Sequence, residues 1–180
     1  MILLLTGTPG TGKTTISSAL ADKLEARLVA VNHLVEQKHL YTGLEPEKHY
    51  KIVDIPALLD EMDDISEHYR DNTDWLIFEG HLSHYYPEAD LVVVLRASPR
   101  ILQQRLQKRK WRPEKVRENL EAEALDICAW EAVDMHGIKA QEIDTTHKTP
   151  QKVVNSILEI IRGEKTSPVG GVNFLDQMEL

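Results

Sequence analysis

The sequence predicts an α/β fold, a parallel sheet of five strands with helices on both faces, and three features point to it. The first is the stretch Gly7-Thr8-Pro9-Gly10-Thr11-Gly12-Lys13-Thr14, which follows the apolar run Ile2–Leu5 and precedes a segment of helical periodicity. Strand, glycine-rich loop and helix start thus stand in the order of a phosphate-binding loop. The second is the alternation of short apolar runs with helical patterns along the rest of the chain, which demands parallel strands joined by crossover helices. The third is that the runs at 75–78 and 91–95 are continuously apolar, as strands buried on both faces must be.

Length and composition agree with one domain. The chain has 180 residues, of which 42% are hydrophobic, enough for a single sizeable core. The folded domain is expected over 1–162, with a loosely docked or flexible tail over 163–180, where Pro168, Gly170 and Gly171 interrupt any pattern. The formal net charge of −8 argues against broad binding to nucleic acid and suits a basic partner. Cys128 is the only cysteine, so no internal disulfide can form, and it reads as a small buried hydrophobe in a cytoplasmic protein. Ile2–Leu5 is too short for a signal sequence, and no run reaches the ~18 apolar residues of a membrane span.

In chain order, residues 14–26 read as a helix with Ile16, Leu20 and Leu24 inward, and 27–31 as a short buried strand. Asn32 is expected to cap a helix through Lys38, closed at Gly43, and 44–53 reads as a loop. Asp54 before Ile55-Pro56 opens a helix to about Arg70, and Asp71-Asn72-Thr73 marks a turn. The strands at 75–78 and 91–95 follow, then a helix opened by Ser98-Pro99, and one long helix from Pro113 to about His136. A last strand at 141–144 and a helix from Thr149-Pro150 to Ile161 complete the domain.

The chemistry should gather at the C-terminal edge of the sheet, where open α/β sheets bind their ligands. Gly10, Thr11, Gly12, Lys13, Thr14 and Thr15 would cradle the phosphates of ATP. Their N–H groups and the helix N-terminus face the anion, and Lys13 reaches the β- and γ-phosphates. The Thr14 hydroxyl is expected to ligate Mg²⁺, with Glu79, directly after the third strand, holding the ion through water. His81 shares that edge and could orient water or the acceptor. Arg105 and Arg109, four residues apart on one helix face, would surround the migrating phosphoryl group together with Lys13. The histidines and Cys128 offer no metal-ligand spacing, so Mg²⁺ with nucleotide is the only metal expected. Residues 145–148 lack a guanine-recognition signature.

Gly7–Thr15, Glu79-Gly80-His81, Tyr85-Tyr86-Pro87, and Leu91–Arg96 leading to Arg105 and Arg109 together resemble the adenylate kinase isoenzyme 6 family over residues 1–161. The resemblance implies the three-layer nucleoside-monophosphate-kinase fold, with an acceptor region at about 32–53 and a short lid at about 108–115. It implies conversion of ATP and AMP to two ADP, an ATPase activity, and a role in maturation of the small ribosomal subunit and its rRNA. The partner it implies is a basic small-subunit ribosomal protein, with rRNA contact only within a ribosomal particle. A monomer or weak oligomer is expected, cytoplasmic, or nuclear in a eukaryote. Two positions depart from the family pattern. Glu79 replaces the usual aspartate, and Glu36 stands where an arginine often lies near the acceptor phosphate. Two alternatives stay open: a nucleotide-gated assembly ATPase with little kinase activity, and a kinase for another small acceptor, whose hydroxyl Glu36 and His33 would favour.

Overall fold

The structure is a computed structural model and describes residues 1–45, 50–71 and 74–177. The middle of the expected 44–53 loop, Asn72-Thr73 of the expected turn, and the last three residues of the tail lie outside these. Strand β1 (Ile2–Thr6) leads through the glycine-rich loop into α1 (Lys13–Leu24), followed by β2 (Arg27–Ala30), α2 (Val31–Lys38), β3 (Tyr41–Leu44), β4 (Lys51–Val53) and α3 (Ile55–Tyr69). Then come β5 (Leu76–Glu79), β6 (Leu91–Arg96), α4 (Pro99–Lys108), α5 (Pro113–Ala124), α6 (Ile127–His136), β7 (Ala140–Asp144) and α7 (Pro150–Ile161). The main sheet has five parallel strands in the order β2-β5-β1-β6-β7.

Two-residue alternation along the strands makes two cores. Leu4, Phe78, Val92 and Val94 face Leu58 and Met62 of α3, Val35 of α2 and Ala129 and Ala132 of α6. Leu3, Leu5, Ile77, Val93 and Leu95 face Ile16 and Leu20 of α1 and Val153, Val154 and Ile157 of α7. Each fully buried Leu or Val contributes roughly 1.5–3 kcal/mol of transfer free energy, so the central strands fix the sheet edge that carries the loop. A third, small cluster of Leu102, Leu106 and Val116 ties α4 to α5.

Helix starts follow the expected chemistry at α3 and α7, where the Asp54 and Thr149 side chains accept from the N–H of Ala57 and Lys152. Elsewhere local expectation fails for identifiable reasons. Helix α2 starts at Val31 with Ala30 as its cap, so Asn32 lies inside it. It ends at Lys38, because His39 takes the left-handed conformation at φ 57° and its N–H bonds to Val35 O. Gly43 therefore belongs to a strand, and the region read as a loop contains β4, paired antiparallel to β3. Strand β2 is a half-exposed edge rather than a buried strand. The single helix expected from Pro113 breaks at Leu125-Asp126, with Asp126 at φ 58° and its carboxylate turned onto Arg96. Ser98 stands at the start of α4 without a side-chain cap bond.

Candidate functional site

The glycine-rich loop turns at the C-terminal end of β1 against the end of β6. Gly7 has φ 130°, and a Cβ there would lie 2.3 Å from Leu95 O, so only glycine lets the loop leave the sheet this closely. Gly12, at φ 107°, starts α1. Inside the loop the Thr11 hydroxyl donates to Thr8 O at 2.9 Å, and Lys13 Nζ donates to Gly7 O at 2.7 Å and Thr8 O at 3.1 Å. Burial lowers the Lys13 pKa, while the Glu79 carboxylate works against that shift.

Register places Glu79 beside Leu5, so its carboxylate meets the loop. Burial raises its pKa against the opposing effects of Lys13 and Thr14. His81 lies just beyond, its imidazole pushed down to about 4 by burial and then by Lys13. Thr14 and Thr15 are exposed. The Thr14 hydroxyl and Glu79 carboxylate are hard oxygen donors, the set that Mg²⁺ takes. Among the described residues no cluster of three His, Cys, Asp or Glu is placed to hold a metal, so such an ion would share its sphere with phosphate and water.

Two cavities meet at the loop. The smaller, of about 400 Å³, is lined by Gly10, Thr11, Gly12, Thr15, Arg105 and Arg109, with Thr145 and Lys148 opposite. Arg105 NH1 donates to Gly10 O at 3.2 Å, and burial lowers its pKa. The larger, of about 820 Å³, is lined by Lys13, Thr14, Glu79, His81 and Arg109, and by α2, β4 and α5. Lys13, Glu79, His81 and Arg109 therefore share one cavity, whereas Arg105 faces the other. Gly10, Gly12, Thr15 and Arg109 touch both.

Several contacts around the site escaped the sequence reading. Glu36 and Lys51 form an ion pair on the wall of the larger cavity, and this bond raises the Lys51 pKa. Lys115 Nζ lies 4.3 Å from the Trp111 ring centroid and 5.2 Å from that of Tyr50. Glu131 accepts from Tyr85 Oη at 3.0 Å and pairs with His84 Nε2 at 3.0 Å, while His84 Nδ1 meets the Thr6 hydroxyl at 2.7 Å. Burial pushes the His84 pKa down; a neutral ring donating from Nε2 to the carboxylate and accepting from Thr6 satisfies both contacts. Cys128 is half-buried at the cavity wall, and burial raises its thiol to about 11. Behind the loop, Thr8 Oγ1 donates to Glu123 at 2.5 Å, and Glu123 pairs with the buried Arg96 at 2.9 Å. Arg96 also pairs with Glu142, whose other oxygen accepts from the N–H groups of Gly170, Gly171 and Val172. The lone signal for this network was an arginine directly after a continuous apolar strand.

The AAA domain family matches residues 3–126. The chain is 38% identical over 176 residues to a protein of Methanothermobacter thermautotrophicus named "Putative adenylate kinase", covering 96% of each. It is 40% identical over 177 residues to a Halobacterium salinarum protein of the same name, covering 98% of this chain and 99% of the relative. The chain belongs to this adenylate kinase family. Solved structures with a similar fold include shikimate kinase from Acinetobacter baumannii in complex with shikimate. It has TM-score 0.59 and 19% identity, covering 91% of this chain and 94% of that one. Shikimate kinase from Aquifex aeolicus matches with TM-score 0.59 and 16% identity, covering 91% and 98%. These likenesses concern the fold alone: the family member has the phosphate-loop, nucleoside-monophosphate-kinase-like architecture. Among the described residues no helix is long and apolar enough to cross a membrane.

Proposed function

We propose that the protein is a nucleotide kinase transferring the γ-phosphate of Mg²⁺·ATP to AMP to give two ADP. The observation that carries this reading is the meeting of two cavities at one phosphate loop, with Arg109 reaching both. ATP would lie with its base side in the smaller cavity, over Arg105, and its phosphates on Gly10–Thr15. Thr14 and Glu79 would hold Mg²⁺, Glu79 through water; the ion supplies charge neutralisation of the transferring group. His81, neutral at pH 7 and beside Glu79, would orient the acceptor oxygen. The relatives' names support AMP as acceptor.

A coupled assay for ADP with Mg²⁺·ATP, with and without AMP, tests the reading. AMP-dependent ADP formation is expected, lost in Lys13→Ala and reduced in His81→Ala with ATP affinity retained. ADP formation indifferent to AMP would refute it.

A second reading, favoured by one surface, is that of the isoenzyme 6 group: ATP hydrolysis coupled to a basic small-subunit ribosomal protein during rRNA maturation. Ile127, Trp130 and Ile138 are exposed along α6 and the turn after it, Trp130 at 71% and Ile138 at 95%. Glu121 and Asp134 are exposed nearby in sequence. Such an apolar, acid-flanked face suits a basic protein surface. Stimulation of AMP-independent hydrolysis by the ribosomal protein, abolished in Trp130→Ala, is the expected outcome; no stimulation would exclude this role.

A further inference from the structure

The larger cavity holds a carboxylate where an anionic acceptor would be repelled, and that carboxylate is paired. Glu36 projects from α2 and Lys51 from β4, both line the cavity, and the two are joined in an ion pair. The Lys51 ammonium also sits 4.5 Å from the ring centroid of Tyr41 on β3. It is therefore a cation held at the cavity wall by the Glu36 carboxylate and the Tyr41 ring. The other cations of this cavity are differently engaged. Lys13 is bonded to the loop carbonyls of Gly7 and Thr8, Lys115 lies against the Trp111 and Tyr50 rings, and Arg109 stands at the boundary with the smaller cavity.

Resting on the reading of this cavity as the acceptor site, we propose that Glu36 occupies on Lys51 the place of the acceptor's phosphate. A phosphate-bearing acceptor then binds by displacing the Glu36 carboxylate from Lys51, and Lys51 is the residue that selects for phosphate. A phosphate carries more charge and more acceptor oxygens than a carboxylate, so the exchange is favourable once the acceptor's other end is held. The half-exposed Glu36–Lys51 pair is a weak competitor, since solvent screens it. The lysine stem is flexible enough to follow the incoming anion. Glu36 thus sets the threshold for phosphate binding without abolishing it, and an acceptor without phosphate gains nothing from Lys51.

The test is equilibrium titration of the full chain with AMP and with adenosine, for wild type, Glu36→Gln and Lys51→Met, beside the wild-type coupled assay. Glu36→Gln should tighten AMP by about threefold or more, because a competing exposed ion pair and a like charge are both removed. Lys51→Met should weaken AMP by about tenfold, as loss of a charge-assisted contact does. Adenosine should bind all three equally. A gain of affinity on removing Glu36 is an outcome that damage to the fold does not produce. Unchanged or weaker AMP binding in Glu36→Gln overturns the proposal. So does a parallel loss of AMP and adenosine in Lys51→Met, which would make the pair a mere tie between α2 and the hairpin. If wild type forms ADP from AMP while the affinities do not move, only the exchange is wrong. If the affinities move as expected and no AMP-dependent ADP appears, the phosphate site stands and the kinase reading fails.

Discussion

His81 illustrates how a single half-buried group sets a property of the whole chain. An unfolded histidine takes its proton near pH 6.5, whereas in the folded chain burial holds His81 down to about 4. Between those values the unfolded state binds more protons, so stability falls as pH is lowered through that window. The loss reaches up to about 3 kcal/mol for this residue, and His84, also pushed down by burial, acts in the same direction. Glu79, with its raised pKa, has the opposite sign, and comparison of variants separates the two. Urea unfolding at pH steps from 7 to 4 should give a shallower decline for His81→Gln than for wild type; parallel curves would refute the assignment. Gly7 is the second decisive single residue. Gly7→Ala combines φ 130° with a Cβ 2.3 Å from the Leu95 carbonyl oxygen, backbone that cannot yield as a side chain would. A loss of about 3 kcal/mol or more is expected in the same unfolding assay, and a loss below about 1 kcal/mol would mean the loop can be rebuilt.

Among the elements, what was legible depended on how locally each was encoded. The β1-loop-α1 unit, β5 and β6 announce themselves through contiguous apolar runs and glycines, and they bring Lys13, Thr14, Glu79 and His81 together because parallel register aligns strand ends. Strand β4 was invisible because Ile52 is exposed, the strand spans only Lys51–Val53, and its partner is supplied by tertiary pairing. With it went Lys51, and hence the neutralisation of Glu36. The break between α5 and α6 has no glycine or proline; Asp126 accepts the left-handed conformation in exchange for its ion pair with Arg96. The segment after α7 lies on Glu142, with Phe174 buried and its ring centroid 5.6 Å from the Arg96 guanidinium. Glu142 accepts on both oxygens, so Glu142→Gln must turn its amide nitrogen toward either Arg96 or the three N–H donors. A cost of roughly 2–4 kcal/mol is expected, with faster proteolysis in residues 163–177. Wild-type stability with an equally protected segment would show that the donors find other partners.

For the molecule as a whole, the parallel sheet, the loop and the α4–α5 pair create two cavities that share one narrow boundary, and Arg109 is the cationic side chain that lines both. On the proposed reading, charge develops at that boundary only as the phosphoryl group passes between the substrates. Interactions made there are stronger in the transition state than with either substrate alone, so their removal lowers kcat. Arg109→Ala should therefore lower kcat by about 10²–10³-fold, while the KM values for ATP and AMP change by less than about tenfold. Arg105 provides the contrast, on the last turn of α4 where Arg109 stands just past the helix end. It lines only the smaller cavity, where it donates to Gly10 O at 3.2 Å, and Arg105→Ala should raise the KM for ATP more than it lowers kcat, leaving the KM for AMP unchanged. Steady-state kinetics with each substrate varied in turn distinguishes the two. If Arg109→Ala instead raises one KM and spares kcat, Arg109 binds a ground state on one side of the boundary, and transfer must draw its positive charge from Lys13 and the metal alone.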